Sequence, residues 1–179
     1  DWAALWLVRS WLGEHRNSNG RFYNRIREER GMNYGDYAYI EYFPNGMFLM
    51  QPEPNTPRIN DLFQVWLRPL RSNNDALFAT RTALFELQNL QQNGLTAEQF
   101  ESSREFLKKF SSILVAGQSK QLGYFVDSKF YEIDEFTAFV NTQLDQLTLD
   151  AVNQAIRKHL KPDNIHFVFV SRDAKALAE

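Results

Sequence analysis

The run Trp2-Ala3-Ala4-Leu5-Trp6-Leu7-Val8 constrains this chain most, because it is apolar whichever way a helix is turned. A helix over Trp2–Leu12, with Asp1 placed to cap it and Gly13 to end it, offers water no polar face over its first two turns. It therefore requires partners on several faces. The run is far shorter than a bilayer core demands, and neither a basic segment before it nor a small-residue cleavage site after it marks a secretion signal. It belongs in a core. Because the chain opens at Asp1, directly on such a helix, the sequence reads as part of a longer protein. Its 179 residues suit one domain, residues 1–179, and 44% hydrophobic against 23% charged residues exclude disorder.

A polar stretch, Glu14 to Gly20, precedes a second helix over Arg21–Arg30 with Gly31 as its stop. From Tyr34 the period changes to two: Tyr37, Tyr39 and Glu41 alternate with Ala38, Ile40 and Tyr42. Phe43-Pro44-Asn45-Gly46 has the composition of a type I turn, and Met47–Gln51 returns as the second strand of a hairpin. After Pro52, Pro54 and Pro57, a third strand is expected over Leu62–Arg68, ending at Pro69.

The helical period then takes over. Leu77, Leu84 and Leu87 form a stripe that ends at Gly94, and Thr96 with Gln99 makes a capping box ahead of Phe100, Leu107, Phe110 and Leu114. Gly117 and Gly123 are expected to bracket a break before a helix over Phe125–Tyr131. Phe136, Val140, Leu144 and Leu147 mark a further helix. Thr148 caps another that carries Val152, Ile156 and Leu160, with Arg157, Lys158 and His159 in its last turn and Pro162 beyond it. Ile165–Val170, apolar on both faces apart from His166, fits an interior strand. Early strands followed by clustered helices predict an α+β domain, with helices on one face of a largely antiparallel sheet. Three or four strands are few for so many helices, and strands upstream of Asp1 would complete the sheet.

Composition removes several kinds of chemistry. Lys+Arg 20 against Asp+Glu 22 leaves a net charge of -2, so no nucleic-acid partner is expected. Cys is 0, which excludes thiol catalysis and Cys-ligated metals but assigns no compartment. The three histidines, His15, His159 and His166, read as a polar-loop residue, a helix-end cation and a core histidine. Glu14-His15 resembles the end of a His-x-x-Glu-His zinc helix, but the first ligand position holds Trp11. No metal site is expected here. Nor is a nucleophile elbow or a glycine-rich phosphate loop present.

The segment Asn24 to Gly35 is the most informative. Its bland reading is a charged helix face with local ion pairs, then a glycine stop and a strand. Its functional reading is geometric: Arg27 on the last full turn of the helix and Tyr34 just past Gly31 can reach one rim. A guanidinium fork and a phenolic donor together can grip a peptide carbonyl or a developing oxyanion. Tyr34, Tyr37, Tyr39 and Tyr42 favour packing over base stacking, since Tyr37 and Tyr39 do not share a face with Tyr42. Around them Arg9, Arg16, Arg21, Arg25, Arg27 and Arg30 are offset by Glu14, Glu28 and Glu29.

The run Ile26-Arg27-Glu28-Glu29-Arg30-Gly31-Met32-Asn33-Tyr34 resembles the Arg/Tyr motif in the non-catalytic half of M16 (pitrilysin/insulysin-type) zinc metallopeptidases, Leu-Arg-Glu-x-x-Gly-Leu-x-Tyr. Arg27, Glu28, Gly31 and Tyr34 match in register, and Ile26 and Met32 replace Leu. The leading helix ending Trp-Leu-Gly, the hairpin after Tyr34, the segment Gly94 to Phe100, and the run Leu147 to Asn153 before Pro162-Asp163 and the final strand also resemble that domain, so the likeness covers nearly the whole chain. It implies the LuxS/MPP-like metallohydrolase (M16 peptidase) fold, without its N-terminal strands. It further implies pairing with a His-x-x-Glu-His half that holds zinc, and an Arg27/Tyr34 pair that meets the carbonyl of a peptide substrate. Two alternatives stay open: a structural homologue with no proteolytic role, and a stand-alone peptide-binding module. Because one histidine cannot complete a tetrahedral site, untagged protein is expected to carry no stoichiometric zinc on this chain. Elemental analysis giving one zinc per chain, lost in His15→Ala, would contradict this.

Overall fold

The computed structural model describes residues 1–14, 18–39, 54–55 and 62–179. Helix α1, Trp2–Leu12, lies at the centre: Ala3, Ala4, Trp6, Leu7, Val8 and Leu12 are all buried. Its partners come from several directions, as its composition demands. It touches α3 (Ala97–Leu114), α5 (Phe136–Gln146) and α6 (Leu149–His159), and also strand β1 (Asn33–Tyr39). Each side chain such as Leu7 or Val8 that leaves water completely contributes roughly 1.5–3 kcal/mol before entropy is subtracted. Asp1 occupies the cap position, but its side chain does not cap. Its carboxylate instead takes Lys158 Nζ at 2.6 Å and His159 Nε2 at 2.8 Å, tying the start of α1 to the end of α6.

Strand β1 pairs antiparallel with β2 (Gln64–Leu70), in a register running from Asn33 opposite Leu70 to Tyr39 opposite Gln64. The expected hairpin partner Met47–Gln51 and its turn lie outside the described residues. Strand β2 does not stop before Pro69 but continues through it to Leu70. Ala38 N donates to Gly13 O at 2.8 Å, so alternate backbone groups of β1 point away from β2. Tyr34 belongs to that set. Pro69 therefore falls opposite a position where the ladder needs no donor, and a proline is tolerated within the strand.

The remaining helices are α2 (Asn73–Asn93), α4 (Gln118–Phe130) and the short α7 (Ala174–Ala178). The capping box of α3 is present in full, with Thr96 and Gln99 exchanging bonds at 3.0 and 3.2 Å, and Thr148 Oγ1 accepts from Ala151 N at the start of α6. Gly123 breaks nothing: it lies buried inside α4, and a Cβ there would come within 2.4 Å of the Pro54 ring. The glycine marks a close approach rather than a helix end.

The expected interior strand Ile165–Val170 is not formed among the described residues. Ile165 reaches the core, but Val168 and Val170 are 88% and 98% exposed, and His166 is exposed rather than a core histidine. A run that is apolar on both faces becomes a strand only between neighbours, and the described residues supply it with no ladder partner. Helices against an antiparallel pair make the fold α+β, as expected, although the described sheet has two strands.

Candidate functional site

The helix expected over Arg21–Arg30 takes an uncommon form. Residues Tyr23–Glu28 make a π-helical turn, with Glu29 N bonded five residues back to Asn24 O at 3.0 Å. Gly31, at φ 57°, closes it: Gly31 N donates to Arg27 O at 2.7 Å and Met32 N to Ile26 O at 3.3 Å. A left-handed residue is needed to turn the chain from this helix into β1, and glycine adopts it without strain. Phe22 and Ile26 are buried beneath the turn.

The arginines of this segment divide by partner. Glu86 of α2, fully buried, accepts from Arg21 Nε at 2.7 Å and from Arg25 Nε at 2.9 Å. Arg25 also holds Glu29 at 2.7 Å, and Arg30 holds the same carboxylate at 2.7 Å. Arg25 first and Arg30 second keep Glu29 below its ordinary carboxylate pKa. These residues follow the bland reading, with the addition of a buried anchor more than sixty positions away.

Arg27 differs. Among the described residues no carboxylate pairs with it. Its guanidinium carbon stands 4.7 Å from the centre of the Tyr34 ring and 4.8 Å from that of Tyr23, so both rings lie within cation–π distance of it. Its Nη1 donates to Tyr34 O at 3.1 Å, a carbonyl turned off the outer edge of β1. The structure thus brings Arg27 and Tyr34 together across Gly31, as the spacing predicts. Tyr34 is 69% exposed, so the pair lies at a rim open to solvent. Tyr23 was not singled out in the sequence, although its placement four residues before Arg27 on a helix is a readable signal. The Glu28 carboxylate beside its hydroxyl pushes the phenol pKa up.

Behind the rim lies a group of buried polar side chains. Asp36 of β1 is 1% exposed and bonded by Asn33 Nδ2, while its Oδ2 has no partner among the described residues. Burial pushes its carboxyl up to about 7, against the opposing pull of Asn33 and then Arg27. Arg9 and Glu14, also buried, form an ion pair at 2.9 Å. Glu14 therefore serves α1 and is not the end of a zinc helix. His15 lies outside the described residues. His159 is exposed at the end of α6. Among the described residues no three His, Asp or Glu side chains converge to hold a metal ion, so the side chains described do not fit zinc. Tyr37 is buried as packing; Tyr42 lies outside the described residues.

Asp36 gives this region a pH signature. In the folded chain it releases its proton near 7, whereas an ordinary aspartate does so near 3.8. Between those values the folded state binds more protons than the unfolded state, so stability falls as pH rises from about 4 to about 7 and is then level. The component amounts to at most about 4 kcal/mol. Asp36→Asn removes it: thermal melts should show the variant gaining on the parent between pH 5 and pH 8. Parallel pH profiles would contradict this.

No family model and no curated sequence matches the chain. Among solved structures, a peptidase M16 inactive domain from Pseudomonas fluorescens superimposes with a TM-score of 0.63, over 91% of this chain at 20% sequence identity. The chain spans 35% of that protein's length. At this identity the likeness speaks for fold, and no helix among the described residues is long and apolar enough to cross a membrane. With its α+β order, the chain shares the fold of the part of that M16 inactive domain on which it superimposes.

Proposed function

We propose that residues 1–179 act as one M16-type inactive domain, the substrate-positioning half of a zinc-dependent endopeptidase, with Arg27 and Tyr34 as its contacts to the substrate carbonyl. In this reading a partner half bearing His-x-x-Glu-His supplies zinc and activates water. The present chain contributes donors.

The observation that carries the reading is the state of Arg27. Its neighbours Arg21, Arg25 and Arg30 are spent on carboxylates, whereas Arg27 rests on the exposed Tyr34 ring and, among the described residues, engages only Nη1 in a hydrogen bond, to a carbonyl. A guanidinium projects its remaining N–H donors in its own plane, away from a ring stacked on its face. Those donors and the Tyr34 hydroxyl suit a carbonyl oxygen, and suit it better as that oxygen gains charge on hydration of the peptide bond. Because the two side chains touch, their effects should not add.

In the complete two-half protein, Tyr34→Phe should lower kcat by about 10²–10³, the loss typical of removing one oxyanion donor. Arg27→Lys should also be poorly tolerated, since an ammonium reproduces neither the fork nor the stacking. Thermal melts should hardly move, as both side chains sit at the rim. Near-normal kcat in both variants, with intact folding, would return the segment to a charged helix face and leave the structural-homologue reading in its place.

A further inference from the structure

Resting on that reading, we propose that Tyr23 is a positioning residue for Arg27: it forms the second wall of a Tyr23–Arg27–Tyr34 stack that fixes the plane of the guanidinium and so the direction of its free donors. The two ring centres stand at nearly equal distances from the guanidinium carbon, 4.8 and 4.7 Å. The walls have different origins. Tyr34 comes from β1 and also binds Arg27 through its own carbonyl, while Tyr23 comes from the π-helical turn that carries Arg27 itself.

The π form matters here. A turn bonded five residues back brings side chains four and five positions apart onto one side. Tyr23 can then present its ring to the Arg27 guanidinium four positions on. An arginine at a solvent-exposed rim would otherwise move through many rotamers, and ordering it at the moment of reaction would cost entropy. Two rings held against the guanidinium meet that cost in the resting protein.

The inference separates from its parent reading by experiment. In the complete protein with ¹⁵N-labelled arginine, the Arg27 Nε–H resonance, assigned by its loss in Arg27→Lys, should be displaced by ring currents. Tyr23→Leu should remove the Tyr23 share of that displacement and leave the Tyr34 share, and Tyr23→Phe should keep it whole. In peptidase assays Tyr23→Leu should lower kcat about tenfold with little change in KM, while Tyr23→Phe restores near-parental kcat. Melts of both variants show whether Tyr23→Leu folds; the Phe variant, which keeps the ring, carries the test if it does not, and a tenfold loss there would overturn the inference. An Arg27 resonance indifferent to Tyr23→Leu would overturn it directly. So would a displaced resonance with unchanged kcat in Tyr23→Leu, provided Arg27→Lys does impair turnover. If Arg27→Lys leaves kcat untouched, the parent reading fails and the positioning role fails with it, and the ring-current result then describes packing alone.

Discussion

Burial of α1 on several sides holds the rest of the molecule in place. Trp6, Leu7, Val8 and Leu12 are fully removed from water between α3, α5 and α6 on one side and β1 on another. A helix so placed cannot shift without opening the core, and its last residues serve as a fixed edge. Gly13 O receives Ala38 N, which docks β1 alongside. The strand's alternate groups then point off that edge, and among them is the Tyr34 carbonyl that Arg27 takes. Hydrophobic burial at the centre thus sets a hydrogen bond at the rim.

Electrostatics then sorts four arginines with nearly the same local sequence. Glu86, buried in α2, would be costly to leave unpaired, and Arg21 and Arg25 converge on it. Glu29 collects Arg25 and Arg30. Asp36, which feels the charge of Arg27, is bonded by Asn33 in a buried site that resists ionisation. What surrounds the Arg27 guanidinium is aromatic. That setting keeps its charge and its donors available where a second carboxylate would quench both.

Local signals in the sequence were reliable where the physics is local. The capping box at Thr96, the cap at Thr148, the glycine stop at Gly31 and the extent of α1 depend on residues within one turn of each other. The pairing of Arg27 with Tyr34 was legible for the same reason, being a matter of spacing across one glycine. Long-range partners were not. Nothing near Glu86 announces Arg21 and Arg25, Gly123 reads as a breaker unless Pro54 is known to lie against it, and Asp1 reads as a cap unless α6 is known to end beside it. Pro69 looked like a strand end because its missing donor counts only when its side of the ladder is known. Ile165–Val170 has the composition of a strand, and composition cannot supply its neighbours.

The claim that Arg27 and Tyr34 together face a substrate carbonyl is tested most directly by a structure of the complete protein with a non-hydrolysable peptide bound. The account predicts a backbone oxygen of that peptide within hydrogen-bond distance, about 3 Å, of both an Arg27 donor and the Tyr34 hydroxyl, with the Arg27–Tyr34 stack preserved. A peptide held elsewhere, with the Arg27 fork turned to a carboxylate of the protein itself, would contradict it.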